Sequence, residues 1–409
     1  MQTDLSSVEP PGQRLATFQL YLVAGVTMAG VSAVFALFAE LEKRYNLTTT
    51  SLGWIAGTAF LASLVSQLWL SRYADRGYAS LLLKLGVLSA ASGLLWFAAA
   101  TEIWQFIGAR ALLGAGVGMI VPPARRAIVL TADGSPGEKL GTFYASYLAG
   151  FVFGPPIAGI LAVQGDVRLP FLVFGLLTAA TLISILKLQL PEADRITAAD
   201  SSADGPDRRV LRRLLVDRRI LAAMLVVISF RYSIGVFEPL WATHLDNLGA
   251  STTLISFSLA SFALPMLLVA KQAGRVSDRV GHRLASLTAA LCTVPIMAIY
   301  GYAGVTWVIL ALAVPHGLLE AVLSPGSQAS IANAASDDDA ASAQGLAEAA
   351  GSAASAIGAF TAPALFDGLG PGPAWAIGAG VMLVLLVGSW IMDPPAKSLA
   401  RSAVREPTG

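Results

Sequence analysis

The chain has 409 residues, of which 55% are hydrophobic and only 13% are charged, and its mean hydropathy is +0.67. Soluble domains usually carry about 25% charged residues. The composition therefore excludes an ordinary soluble protein. The net charge of +1, with basic residues spread along the chain, argues against a nucleic-acid-binding surface. The single thiol, Cys292, excludes an intramolecular disulfide.

Twelve apolar stretches, each about long enough to cross a bilayer, follow one another along the chain. We place them at 16–39, 52–71, 81–100, 103–123, 138–162, 169–190, 220–244, 252–272, 284–303, 305–325, 340–365 and 371–392. The first is too long for the core of a secretory signal peptide, so we expect it to remain in the mature protein. The sequence predicts an all-α integral membrane protein.

The distribution of Lys and Arg predicts the orientation, because basic residues are retained on the cytoplasmic side of short loops. With the N-terminus inside, 22 of the 27 basic residues lie in cytoplasmic tails and loops, three lie outside and two lie within spans. We therefore expect both termini on the cytoplasmic side of the inner or plasma membrane. We also expect a monomer.

A repeat divides the chain. Asp-Arg and a nearby Gly follow the second span, at 71–77, and again follow the eighth, at 274–283. Asp75 and Asp278 are 203 residues apart, and Pro123 and Pro325 are 202 apart. Nearly the same offset separates both pairs of residues, which indicates that the chain consists of two similar halves. We predict a six-helix bundle over 1–190, a cytoplasmic linker over 191–219, and a second bundle with a cytoplasmic tail over 220–409.

With these two loops the chain resembles the major facilitator superfamily, and the resemblance extends from the first span to the twelfth. It implies two pseudo-symmetric six-helix bundles that alternate in exposing a central site. It also implies that Asp75, Arg76, Asp278 and Arg279 form a conformational latch. The first copy departs from the family pattern, because Ser71 replaces the usual Gly.

The fifth span gives the most specific signal, GTFYASYLAGFVFGPPIAG at 141–159. It resembles the motif of the twelve-span drug/proton antiporter branch, with Ala158 at a position where Gly is usual. The resemblance implies that Gly150, Gly154 and Pro155 form a closely packed gating helix. Ordinary small-residue packing is the alternative.

Polar residues in spans four, seven and ten are candidates for binding solute and protons, because the resemblance implies that these spans line the cavity with span one. Span one carries no acidic residue near its middle. The candidates are Glu238, Arg231, Glu320, His316, Trp241, Tyr232 and Arg110. For Arg110, pairing with backbone carbonyls is the alternative. His244, His282 and His316 fall in unrelated places, and Glu348 is the next candidate carboxylate.

The resulting hypothesis is a secondary active transporter, a proton-coupled exporter of small amphipathic organic compounds. A proton-coupled importer of an organic anion or other metabolite is the first alternative, because Arg110 and Arg231 lie within spans. A membrane-embedded enzyme is the second, although the sequence contains no serine elbow and no phosphate-binding loop. We expect no cofactor, no bound metal and no nucleic acid. The expected partners are a small-molecule substrate, protons and the lipid bilayer.

Overall fold

The computed structural model describes residues 11–130, 136–190, 208–336 and 339–394. Its regular elements are all helices, and the described ranges contain no strand, so the predicted all-α fold is confirmed. The helices are α1 (Pro11–Ala36), α2 (Phe38–Tyr45), α3 (Thr49–Tyr73), α4 (Ala79–Ala99), α5 (Ile103–Leu130), α6 (Pro136–Gln164), α7 (Leu169–Ile185), α8 (Arg208–Val216), α9 (Arg218–Asn247), α10 (Thr252–Val280), α11 (His282–Tyr302), α12 (Thr306–Ala334), α13 (Ala340–Leu369) and α14 (Pro371–Met392).

All twelve predicted spans coincide with a helix. Within the described ranges, eleven helices are long and apolar enough to cross a membrane. The twelfth, α7, is apolar but has only 17 residues, which is the lower limit for a spanning helix. The protein is therefore an integral membrane protein.

Several helices differ from the predicted spans. Helix α2 is separate from α1, and α12 continues nine residues beyond the predicted end at 325. The extension is polar, but its hydroxyl groups are satisfied within the helix: Ser327 Oγ donates to the carbonyl oxygen of Ser324 at 3.0 Å, and Ser330 Oγ donates to that of Gly326 at 2.7 Å. Hydropathy alone therefore underestimates the length of such a helix.

The chain forms two compact units. Unit 1 comprises Met1–Leu37 and Leu61–Ala203, and unit 2 comprises Phe38–Phe60 and Asp204–Gly409. In unit 1, α1 packs on α6 and α7, and α4 packs on α5 and α7. In unit 2, α9 packs on α13 and α14, and α11 packs on α12 and α14. The two units thus repeat one scheme of helix pairing, which agrees with the repeat in the sequence.

The repeated loops share a backbone feature. Gly77 lies in a short π-helical turn between α3 and α4 with φ of 89°, and Gly281 separates α10 from α11 with φ of 94°. Only glycine adopts this conformation without strain. Asp278 and Arg279 lie in the last turn of α10 and not after it. The helix continues eight residues beyond the predicted end at 272, so the predicted position of this motif after the helix was wrong. The side chain of Asp75 lies outside the part that the structure describes.

Candidate functional site

A buried pair of titratable side chains lies within α12. His316 and Glu320 are one turn apart, and His316 Nε2 lies 3.4 Å from Glu320 Oε1. The two residues are 1% and 6% exposed. Helical spacing of four residues places both side chains on one face. The sequence predicted this pair, and the structure places it inside unit 2.

Tyr300 on α11 links this pair to a second histidine. Its hydroxyl oxygen lies 3.1 Å from His316 Nδ1, and its backbone carbonyl oxygen lies 2.8 Å from His244 Nε2. When the Tyr300 hydroxyl donates to Nδ1, neutral His316 carries its proton on Nε2, the atom that faces Glu320. The Tyr300 hydroxyl can therefore set the tautomer of His316. His244 and His316, which fall in unrelated places in the sequence, thus contact different groups of one residue, Tyr300.

Aromatic rings enclose the buried pair. Phe237 lies 6.1 Å and Phe262 lies 5.0 Å from the His316 ring, measured between ring centroids. Trp241 stacks on Phe237 at 4.5 Å, and its Nε1 donates to Ser258 Oγ at 2.8 Å. Trp241 is thus a buried packing residue of unit 2. These rings surround His316 with apolar groups.

Two more of the candidates on α9 are buried. Tyr232 and Glu238 are 7% and 4% exposed. Glu238 follows Phe237, so it lies in the same stretch of α9 as the aromatic residues around His316. The two charged residues predicted for span seven are therefore in different environments: Glu238 is buried, whereas Arg231 is half-buried.

Arg231 belongs to a separate polar cluster on three helices. One of its terminal nitrogens, Nη2, lies 3.6 Å from Glu348 Oε2 on α13 and 3.4 Å from Ser352 Oγ. Gln328 on α12 donates to the other carboxylate oxygen of Glu348 at 2.7 Å. The sequence analysis ranked Glu348 behind the other carboxylates, because the spacing on α13 does not reveal partners on α9 and α12.

In unit 1, Arg110 is buried against α1. Its Nη1 donates to the carbonyl oxygen of Val31 at 3.5 Å, and its guanidinium carbon lies 4.8 Å from the Phe35 ring centroid. A carbonyl oxygen and an aromatic face both compensate the positive charge. These contacts favour the structural alternative stated for this residue.

Gly150 and Gly154 on α6 lie where the helix meets α1. A Cβ atom on Gly150 would overlap the carbonyl oxygen of Gly25, and one on Gly154 would overlap the carbonyl oxygen of Ala29 and the hydroxyl of Ser32. Contact this close requires glycine. We call this contact the α1/α6 seam. Pro155 lies inside α6, which continues through it.

Within unit 2, polar contacts join the segment that contains α2 to α9 and α10. The sequence analysis missed these contacts. Thr243 donates to Glu42 at 2.8 Å, Thr252 donates to Glu40, and Lys43 Nζ donates to Asp246 at 2.6 Å. Burial raises the pKa of Glu42. The hydrogen bond with Asp246 raises the pKa of Lys43.

The protein has two units that repeat one scheme of helix pairing. In a membrane protein, this arrangement is typical of carriers built from two helix bundles. The model of the Major Facilitator Superfamily matches residues 20–246 and again 223–408. The chain belongs to the Major Facilitator Superfamily.

Comparison with individual proteins agrees with this assignment. The multidrug resistance protein MdtG of Citrobacter koseri is 24% identical over 344 residues, which are 83% of this chain and 84% of that protein. The uncharacterized MFS-type transporter YuxJ of Bacillus subtilis is 26% identical over 236 residues, 56% of this chain and 59% of that protein. The predicted resemblance to the drug/proton antiporter branch is supported by the MdtG match.

Solved structures share the fold. The nucleoside transporter NupG superposes with a TM-score of 0.75 at 13% identity, covering 93% of this chain and 99% of that one. The human organic anion transporter MFSD10 superposes with a TM-score of 0.66 at 16% identity, covering 93% and 100%. Membership of the Major Facilitator Superfamily and the match to MdtG make the protein a secondary transporter and not an enzyme, which removes the second alternative.

Proposed function

We propose that the protein is a proton-coupled exporter of small amphipathic organic compounds that works by alternating access. The observation that carries the proposal is the buried pair of His316 and Glu320, whose nearest atoms are 3.4 Å apart. A carboxyl group in an apolar bundle is stable when it is protonated or paired with a cation. His316 offers both states. As a cation it carries protons on Nδ1 and Nε2, with Nδ1–H donating to the Tyr300 oxygen, and transfer of the Nε2 proton to Glu320 leaves a neutral imidazole and a protonated carboxyl group.

The direction of transport rests on two supporting observations. The relative from Citrobacter koseri is named a multidrug resistance protein. The glycines at the α1/α6 seam match the motif of the drug/proton antiporter branch. Both favour export over uptake.

The coupling carboxylate is tested by glutamine variants in proteoliposomes with an imposed pH gradient. We expect Glu320→Gln to abolish gradient-driven transport of the solute while allowing solute exchange down its own gradient. Glu238→Gln should weaken solute binding, because we assign Glu238 to the solute and Glu320 to proton exchange. The control is Glu102→Gln, an exposed residue in the turn before α5. Full gradient-driven transport by both single variants and by the double variant would refute this assignment.

The alternative function is import of an organic anion. The half-buried side chain of Arg231 supports it, because its guanidinium group could bind the anion. However, Glu348 already lies 3.6 Å from it and compensates the charge. The same liposomes discriminate the two functions. Anion uptake that depends on Arg231 and not on Glu320 would establish the importer.

We further propose that both termini lie on the cytoplasmic side of the inner membrane and that the protein works as a monomer. The asymmetry of loop charge supports the orientation. The bundles 1–190 and 220–409 would rock against each other, with Asp75, Arg76, Asp278 and Arg279 as the latch. Cysteine labelling in a Cys292→Ser background tests the topology. A C-terminus that reacts from outside with an impermeant reagent would overturn it.

A further inference from the structure

The polar cluster around Arg231 is separate from the buried pair that carries the proposed coupling. Arg231 and Glu348 have side chains that are 29% and 31% exposed, whereas His316 and Glu320 are almost fully enclosed. Arg231 is the fourteenth residue of α9, a helix of 30 residues, so it lies near the middle of a spanning helix. Charged side chains at that depth face protein or water and not lipid. The cluster is therefore accessible to a water-soluble molecule.

The hydrogen bonding of this cluster is incomplete. A guanidinium group has five N–H donors, but the contacts of Arg231 to Glu348 and Ser352 are long, at 3.6 and 3.4 Å. Its Nε is buried and has no hydrogen-bond partner within the described residues. By contrast, Gln328 holds one carboxylate oxygen of Glu348 at 2.7 Å. Arg231 is thus the loosely bound member, and Glu348 is the fixed one.

The shape of α13 also accommodates Arg231. A Cβ atom added to Gly351 would lie 2.7 Å from Arg231 Cγ, so the glycine provides the space for the arginine stem. The position of the arginine stem is therefore built into the packing of α9 on α13, while its guanidinium group is loosely held.

The charges decide which solutes this cluster can accept. A solute with only a positive group that binds Glu348 would leave Arg231 without its counter-ion in a half-buried place. A solute with only a negative group on Arg231 would leave the Glu348 charge uncompensated. Both outcomes are unfavourable in surroundings of low polarity. A molecule with one acidic and one basic group can contact both residues. Its acidic group then replaces Glu348 as the partner of Arg231, and its basic group replaces Arg231 as the partner of Glu348.

We propose that Arg231 and Glu348 form a binding site for zwitterionic solutes, in which Arg231 binds the acidic group and Glu348 binds the basic group. The proposal rests on the proposed transport function and names its substrate class. Gln328 is a positioning residue that keeps the Glu348 carboxylate in place when Arg231 turns to the solute. The amphipathic remainder of the solute lies outside this polar contact.

The proposal is tested by measuring binding to the purified full-length protein by titration calorimetry, without any gradient. The probes are triads that share one aromatic scaffold, such as tryptophan, tryptamine and indole-3-propionate, together with the matching phenyl and naphthyl triads. We expect the zwitterion to bind on the order of tenfold more tightly than either singly charged member. Equal binding within the triads, or no binding of any zwitterion, overturns the proposal.

Variants of the two charges sharpen the test. Glu348→Gln leaves a positive site and should shift the preference to the anionic member, whereas Arg231→Gln should shift it to the cationic member. The double variant Arg231→Gln/Glu348→Gln should lose the preference altogether, and it guards against misfolding caused by one unpaired charge. Glu102→Gln is the control and should keep the wild-type order. Unchanged preferences in both single variants would contradict the proposal.

Failure of the site and failure of the exporter give different results. If the triads show the expected order but no solute moves under a pH gradient, the proposed export is wrong and the site stands. If a gradient drives transport but the binding order is flat, the export stands and the zwitterion site is wrong.

Discussion

The α1/α6 seam of unit 1 and the α9, α11 and α12 group of unit 2 bury different kinds of atoms. At the seam, Ser32 Oγ lies 3.4 Å from the carbonyl oxygen of Gly150, and glycine backbones touch with no side chain between them. In unit 2, histidine, tyrosine and glutamate side chains meet inside a ring of aromatic residues. Close backbone contact also occurs in unit 2, where a Cβ atom on Gly235 would overlap the carbonyl oxygen of Ser355. Among the described residues, the buried pair of histidine and glutamate lies in unit 2.

The seam and the group around His316 should therefore be sensitive to different substitutions. Close backbone packing is sensitive to added volume, whereas a buried hydrogen-bonded group is sensitive to the loss of a single polar atom. Added volume should therefore matter most at the seam, and the loss of a polar atom should matter most around His316.

The largest effect is expected at the α1/α6 seam. Gly154→Leu should reduce transport to background, because its side chain would overlap Ala29 and Ser32 on α1. Gly141→Leu in the same helix is the matched control, since a Cβ atom there meets nothing within 4 Å. Both variants should insert into the membrane to similar levels by immunoblot, and transport is measured in liposomes. Full activity of Gly154→Leu would show that the close packing has no role in transport.

A smaller effect is expected from Tyr300→Phe. It removes the hydroxyl group that lies 3.1 Å from His316 Nδ1, and the loss of such a hydrogen bond costs about 1 kcal/mol. We expect gradient-driven transport to fall roughly fivefold and its pH profile to move, because the tautomer of His316 is no longer fixed. Tyr302→Phe, which alters an exposed residue of the same helix, is the control. An unchanged pH profile would separate Tyr300 from proton coupling.

A pH effect is expected on the segment that contains α2. Burial raises the pKa of Glu42, so the docked segment binds a proton more readily than the released one. Acidification through that raised pKa therefore strengthens docking, and this stability is lost as the pH rises above it. The carboxylates of Asp246 and Asp367 act in the same direction, while hydrogen bonds from Thr243 and Thr49 oppose it.

Hydrogen exchange of residues 38–48, corrected for intrinsic rates, measures this docking. Protection should rise at acidic pH in the wild type and should be independent of pH in Glu42→Gln, which resembles the protonated form. A variant that keeps the wild-type pH dependence would assign the effect to another group.

The smallest effect is expected for Asp278→Asn. Asp278 is exposed, and its Oδ1 lies 3.7 Å from His282 Nε2, so the contact contributes about 1 kcal/mol or less. If the latch exists, the variant should shift the resting equilibrium toward the inward-open state. Spin-label distances between the bundles, with Glu102→Gln as control, measure the shift. Identical distance distributions would remove Asp278 from the latch.

Much of the fold follows from the sequence, because twelve apolar stretches and a 203-residue offset are local or periodic signals. The pair of His316 and Glu320 was accessible for the same reason, since helical spacing alone brings the two residues together. The contacts of Tyr300 and Glu348 could not be predicted from the sequence. Their partners lie on other helices, and no spacing within α11 or α13 encodes which neighbour faces them. The contacts of Glu42 were missed because hydropathy treats the segment between two spans as a loop.

The shortness of α7 has a consequence for the lipid around the protein. Its 17 residues extend only about 26 Å at 1.5 Å per residue, less than the ~30 Å hydrocarbon thickness of a typical bilayer. Leu172, Leu176 and Ile183 are exposed along it, so we expect them to face acyl chains. We propose that the hydrophobic mismatch is relieved by thinning of the leaflets beside α7. Transport rates in liposomes of decreasing acyl-chain length should therefore pass through an optimum at a bilayer thinner than average, and this dependence should vanish when α7 is extended by one apolar turn.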